Sequence, residues 1–570
     1  MRSTIISIAR AVLSGASLVT LAAAAAPALE ADLILRGADV YTPGGWAEAL
    51  AIQDGVIIAV GDRAEVDALG GERTRVVNLV GATILPGLHD LHVHPLGAGL
   101  MQRQCLFPQG SAPAQIAATV RECAERRADG EWIVGGQWDA ASFGAQPVDR
   151  ELLDEAAPNN PVALMDISAH SLWVNSAALE IAGIDPATPN PPGGIIERAA
   201  DGRATGVLRE SAGGLVRRFI PPTTTDDAVE ALRWSLERML SYGITSFTDA
   251  LADETALRAY AALADQGHLK QRVTACMMWR GGAFGAGGDD GTPDYVEYRN
   301  LYARERLAPS CIKLALDGVP TDGHTAAMVE PYADGGRRDT GLLMIPTETL
   351  NPLVARLDAL GFTVKMHAAG DGAVRAGLDA IDAARKANGH GGQRHELAHN
   401  SFVQPDDIAR ARALGATFEM SPYIWYPNPI IPDIAKAVGD ERMRRWIPVK
   451  DALDAGALVV PGSDWAVVPS VNPWIAIETL VTRQVPGGGG DVLGATQRIS
   501  LEQAIDLFTV NSARQRNRRH ELGTIETGML ADLVVVERNP FEIPITEVHQ
   551  TKVLMTLVEG EVLYRAADTL

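Results

Sequence analysis

Two kinds of apolar pattern succeed one another along the chain. Near the start, residues 31–41 (ADLILRGADVY), 49–61 (ALAIQDGVIIAVG) and 75–81 (RVVNLVG) alternate apolar and polar positions. That period of two puts one face of each segment in a core and predicts a small β-meander. Asp54-Gly55 is the dipeptide of a tight hairpin. The same texture returns at the far end, in residues 531–538 (ADLVVVER) and 552–565 (KVLMTLVEGEVLYR), with Glu559-Gly560 between two runs. Strand sets this short bury little alone. Residues 31–80 and 520–565 are therefore expected to combine into one β-sandwich.

Between the ends, residues 81–519 read differently. Continuous apolar runs such as 244–250 (ITSFTDA), 272–279 (RVTACMMW) and 458–465 (LVVPGSDW) alternate with helical periodicity, as in 225–243 and 405–415, which both end at glycine. Strand–helix units repeated over some 400 residues predict an α/β region with a parallel sheet. Residues from about 100 to 235 hold more than one such unit needs, so an insertion is expected there.

Net charge changes the picture modestly. Lys and Arg number 50 against 71 Asp and Glu, a balance of −21 that argues against nucleic acid or an anionic membrane surface as a partner. Residues 1–28 read as an export signal: Arg2 and Arg10 precede an apolar, Ala-rich run, and Ala26-Pro27-Ala28 is a cleavable pattern. A periplasmic or secreted bacterial protein is expected, with no membrane contact once the signal is removed. An oxidising compartment permits disulfides; Cys105 and Cys123 are the one close pair, whereas Cys276 and Cys311 lie in apolar runs and read as core residues.

Four apolar runs end in ligand-type side chains. His92 and His94, two apart at the end of a strand, project to one side, as two imidazoles gripping one metal ion must. His367 closes Val364-Lys365-Met366-His367; His399 closes His395-Glu396-Leu397-Ala398-His399; Asp464 follows Leu458-Val459-Val460-Pro461-Gly462-Ser463. Each alone is commonplace. Together, in this order, they favour a closed (β/α)8 barrel, where all strand C-termini face one mouth and distant residues converge.

The order HxH, strand-borne lysine, His, His, Asp resembles the amidohydrolase superfamily, and the wording around it resembles amidohydrolase family 3, the YtcJ-like metal-dependent hydrolases. Residues 84–95 (ILPGLHDLHVHP), 161–184 (PVALMDISAHSLWVNSAALEIAGI), 193–210, 367–374 and 523–541 carry the likeness, which spans about 31–564. The resemblance implies metal ligation by His92, His94, His367, His399 and Asp464, and a lysine at Lys313 that can be carboxylated by CO2 to bridge two ions. Buried on a strand, such a lysine loses its proton readily, as that reaction requires; otherwise Lys313 would reach a substrate carboxylate or an internal Asp. Lys365, on the same strand face as His367 but deeper, is a rival.

The resemblance further implies a divalent metal, zinc by its donor set, one ion or two, and hydrolysis of a C–N bond (amide, formamide or carbamate) or of a lactone or ester in a small molecule, with Asp464 as general base and then general acid. His170 and His324 are candidates for substrate binding. Trp173 and Asn175, which follow His170, read equally as packing and as a helix cap; Tyr423, Trp425 and Tyr426 line the pocket or cover apolar surface. His89, Ala398 and the stretch 317–325 (DGVPTDGHT) depart from the family wording around the metal and on the substrate side. A secreted binding or regulatory protein that kept the barrel without turnover is the competing reading, and a homo-oligomer is compatible with either.

Overall fold

A computed structural model describes residues 30–108, 110–144, 146–166, 171–191, 194–279, 294–321, 323–423 and 431–567. The expected export signal, His170, Trp425 and Tyr426 lie outside them. At the centre stand eight parallel strands in sequential order: β1 (Leu88–Val93), β2 (Ile244–Ala252), β3 (Arg272–Met278), β4 (Leu307–Ala315), β5 (Thr363–Ala368), β6 (Glu396–His399), β7 (Thr417–Met420) and β8 (Leu458–Pro461). This is a (β/α)8 barrel. The ring closes just beyond the strands, where Asp464 N donates to His92 O (2.7 Å) and His94 N to Trp465 O (2.5 Å). The closing hydrogen bonds therefore involve His92, His94 and Asp464, which the sequence singled out.

Local chemistry fixes the helices between strands. Thr224 caps the helix Thr225–Leu240 by accepting from Asp227 N, Asp226 and Asp227 occupy its first turn, and Ala228, Leu232, Leu236 and Met239 turn one stripe inward. Asp253 caps Glu254–Asp265 in the same way. One continuous apolar core joins these stripes to the strands, with Phe247, Phe362 and Phe418 fully buried in it. Among the described residues no helix is long and apolar enough to cross a membrane.

Strands from both chain ends form one further sheet. Leu33–Thr42 pairs with Gly45–Gln53 and, in parallel, with Arg75–Asn78 and Thr83–Pro86; Leu533–Val536 then adds antiparallel to Thr83–Pro86, followed by Val553–Val558 and Glu561–Arg565. Leu35, Val40, Ile84, Leu533, Val535 and Met555 share its core. Asp54-Gly55 and Glu559-Gly560 both hold positive φ throughout (49° and 79°; 49° and 73°), the mirror-type turn that matches strand twist. Thr83–Pro86 leads directly into β1, so this sheet anchors the first metal-type motif.

Between β1 and β2, residues 105–210 build a six-stranded mixed sheet with its own apolar cores. Trp173 packs there against Trp138 and Phe143, and Asn175 caps Ser176–Ala182 by accepting from Ala178 N. Cys105 and Cys123 are disulfide-bonded within it. One expectation is corrected: Cys276 and Cys311 are buried core residues, but they too are disulfide-bonded. Directly opposed on β3 and β4, they meet across a strand pair that a separation of 35 residues conceals.

Candidate metal centre

The barrel brings six of the eight candidate residues to one mouth. His92 is the next-to-last residue of β1, His94 follows the strand, Lys313 lies near the end of β4, His367 and His399 sit on β5 and β6, and Asp464 lies three residues past β8. The rings of His92 and His94 are 5.4 Å apart, those of His92 and His399 4.7 Å, and those of His367 and His399 4.4 Å. Asp464 Oδ1 stands 3.0 Å from His94 Nε2 and 3.5 Å from His92 Nε2, and Lys313 Nζ is 3.3 Å from His92 Nε2. His399 (φ 74°) and Asp464 (φ 62°) hold left-handed backbone. For non-glycine residues that conformation costs energy and concentrates at functional sites.

Each of three imidazoles has one ring nitrogen held by a neighbouring oxygen. His92 Nδ1 lies 2.5 Å from Glu419 Oε2, His399 Nδ1 3.2 Å from Ser421 Oγ, and His367 Nε2 3.0 Å from the carbonyl of Gly318. That pattern fixes the tautomer of a metal-ligating histidine and leaves its other nitrogen with a lone pair. The nitrogen and oxygen atoms of His92, His94 and Asp464 lie within 4.8 Å of one another, a set able to hold an ion; so do those of His92, His399 and Glu419. Neutral imidazoles with a carboxylate fit a zinc-type donor set.

Burial shapes the charge states. It pushes the imidazoles of His92 and His399 well below the ordinary histidine value and that of His367 down to about 4, helped by Lys313 at His92 and His367 and by His367 at His399. All three are neutral donors at neutral pH. Burial, then the charge of Lys365, brings the Lys313 ammonium down to about 8. Burial opposes ionisation of Asp464, yet the hydrogen bond from His94 and the neighbouring His92 and Lys313 outweigh it and hold the carboxyl down to about 2. Asp464 is thus a carboxylate ready to accept a proton.

Sequence reasoning missed Glu419, which is fully buried on β7 and joins the cluster from below. The signal was present: a carboxylate in the apolar run 416–422 (ATFEMSP) has to be paired. Lys365 lies beneath His367 with no exposure at all, 2.6 Å from Glu396 Oε2 and 3.5 Å from Glu419 Oε2. As an ammonium held between two carboxylates it belongs to the support of the site.

His324 stands apart. Its Nδ1 is 2.6 Å from Asp339 and its Nε2 2.9 Å from Asp334, and its ring stacks on Tyr332. His395 also faces away, bonded to Asp358 and to Val364 N. His89 is buried and held neutral by its burial and by Arg516, Arg272 and Arg518. Tyr423 is buried in the barrel's apolar core. A cavity of about 400 Å³ opens beside the site, lined by Met101, Leu106, Pro108, Gln137, Trp465 and Val468 among others. Trp465 directly follows Asp464, and the wall mixes apolar side chains with Gln102 and Gln137.

A parallel barrel with convergent imidazoles, a lysine and a carboxylate at its C-terminal mouth defines a metal-dependent hydrolase of the barrel type. The model of the Amidohydrolase family matches residues 75–564, and the chain belongs to that family, hydrolases of carbon–nitrogen bonds. It is 27% identical to the N-substituted formamide deformylase of Arthrobacter pascens over 94% of this chain and 98% of that protein. It is 28% identical to Protein LONG AFTER FAR-RED 3 of Arabidopsis thaliana over 94% and 92% of the two chains. Among solved structures, an uncharacterized metal-dependent hydrolase from Pyrococcus horikoshii OT3 superposes with a TM-score of 0.73 at 23% identity, covering 90% of this chain and 99% of that one.

Proposed function

We propose that this protein hydrolyses an amide-type C–N bond, in an amide, formamide or carbamate of a small molecule, and that His92, His94, His367, His399, Asp464 and a carboxylated Lys313 would hold the one or two zinc-type ions it uses. The observation that carries the reading is the convergence of four imidazoles, a lysine and an aspartate at the ends of β1, β4, β5, β6 and β8. When bound, a divalent ion supplies Lewis acidity that acidifies a water and polarises the scissile carbonyl. Asp464 takes the proton of the attacking water and hands it to the departing amine, first base and then acid. Lys313 combines as a neutral amine with CO2, losing one proton and forming a carbamate whose oxygens become donors; burial favours that amine.

The cavity beside Trp465, lined among the described residues by apolar side chains and by Gln102 and Gln137 with no charged side chain, suits an uncharged substituent of the substrate. The relationship to an N-substituted formamide deformylase supports the same bond class. His170 is assigned to the substrate side from its sequence context; His324, with both nitrogens on carboxylates, is assigned to shaping its loop. Two disulfides suit export through the segment 1–28 to an oxidising compartment. The test is hydrolysis of anilide, N-alkyl formamide, carbamate and lactone substrates before and after chelation. Turnover of a C–N substrate that chelation abolishes and zinc restores is expected. Turnover of lactones alone, or turnover indifferent to chelation, would overturn the reading.

A further inference from the structure

We infer that Glu419 is a positioning residue that sets the tautomer of two imidazoles at once, those of His92 and His399, with Lys365 packed beneath it. This rests on reading the site as a metal centre, and nothing in the sequence motifs points to it.

Proton directions carry the argument. Carboxylate Oε2 of Glu419 lies 2.5 Å from His92 Nδ1, so Nδ1 carries the hydrogen and Nε2 the lone pair. Its other oxygen, Oε1, accepts from Ser421 Oγ at 3.1 Å. Having donated its only hydrogen, Ser421 can accept one from His399 Nδ1, 3.2 Å away. The lone pair of His399 then also lies on Nε2. One carboxylate, directly on one side and through a hydroxyl on the other, thus presets two donors.

Glu419 Oε2 and His92 Nδ1 do not share an ion. Two donors on one ion, each at about 2.0–2.2 Å and at a tetrahedral angle, stand more than about 3 Å apart. The 2.5 Å separation between His92 Nδ1 and Glu419 leaves room for a proton only. Lys365 closes the network from beneath, bonded to Glu396 Oε2 at 2.6 Å while Gln515 Nε2 donates to Glu396 Oε1 at 2.8 Å. All three charged groups are buried, so the set of one ammonium and two carboxylates carries a net negative charge toward a cation site. Packing at this point admits no slack: a Cβ on Gly462 would lie 2.3 Å from Glu419 Oε1 and 2.4 Å from His92 Cβ.

The experiment compares zinc affinity, by competition with a chromophoric chelator, and melting of the apoprotein for full-length wild type, Glu419→Gln, Ser421→Ala and Glu396→Gln. Glu419→Gln keeps the shape but loses the charge, and should weaken zinc binding about 10–100-fold. Its Co2+-loaded form should show a shifted visible absorption. Glu396→Gln breaks the same buried ion cluster one step farther from the histidines and should leave zinc affinity within about threefold of wild type, whatever it does to melting. Glu419→Gln with wild-type zinc affinity and a lowered melting temperature would overturn the inference, because Glu419 would then serve the core alone. An equal loss in both glutamate variants would overturn it too. If Glu419→Gln does not fold, Ser421→Ala carries the test: weaker binding supports the relay, and unchanged binding refutes it. A wild-type protein that takes up no zinc, cobalt or manganese would sink the metal-centre reading itself, and the inference with it.

Discussion

Replacing Asp464 by Asn separates the chemistry of the site from its shape. Asparagine adopts left-handed backbone as readily as aspartate, so the φ of 62° is kept. The amide can still meet His94 Nε2, 3.0 Å from Oδ1 in the native protein. What disappears is a charge and the capacity to take a proton from water. General acid–base catalysis contributes about 10²–10⁴-fold. A group serving both transfers belongs in the middle of that range, so kcat/KM should fall about 10³-fold, or about 4 kcal/mol of barrier. Stability should move little: losing a charge-assisted hydrogen bond costs about 1.5–3 kcal/mol, while the burial penalty of an ionised carboxylate is relieved. The assay is steady-state hydrolysis of the best panel substrate at saturating zinc, with metal content and melting measured on the same preparation. A variant that keeps its metal and its melting temperature and retains turnover within tenfold of wild type would refute Asp464 as the proton carrier.

Lys313→Ala should lose activity and regain part of it with short-chain carboxylates supplied in the buffer, whereas Asp464→Asn should not; rescue of neither or both would contradict the carbamate role. Metal retention should outlast acid unusually far, because the His367 imidazole is held at about 4, below the ordinary 6.5. The sign follows from linkage: between those values the unfolded chain binds the proton that the folded one refuses, so stability falls as pH drops from 6.5 toward 4. Metal content measured after dialysis should therefore be unchanged at pH 6 and lost toward pH 4. Arg272→Met should destabilise strongly, by about 3–5 kcal/mol, since it strands the buried Asp532 that it pairs with at the junction of the barrel and the two-ended sheet. Lys270→Met, which breaks an exposed pair with Glu561, should cost less than about 1 kcal/mol in the same denaturant titration.

The barrel was legible because its strands are buried on both faces and read as continuous apolar runs, and because His92 with His94, His367, His399 and Asp464 mark the ends of four of them. Ligands at strand ends interrupt an apolar pattern at its boundary, where a polar residue is easily seen. Glu419 interrupts such a run in the middle, and only the barrel's curvature reveals that it reaches His92 on β1, 327 residues earlier. Cys276 and Cys311 were hidden for the same reason: register between parallel strands is set by tertiary packing across a helical crossover, not by local sequence. The contacts of His324 with Asp334 and Asp339, 10 and 15 residues further on, were not legible from its sequence context. The six-stranded sheet within 105–210 was visible only as surplus length, since none of its strands exceeds seven residues.

The central claim is that His92, His94, Lys313, His367, His399 and Asp464 form a metal centre, and the most direct measurement is metal stoichiometry of the purified mature protein together with anomalous diffraction at the zinc edge. The account predicts one or two ions per chain, with anomalous density among these side chains and continuous density for a carboxylated Lys313. An ion-free protein after incubation with zinc, or an ion bound elsewhere while these imidazoles keep only the contacts described above, would contradict it.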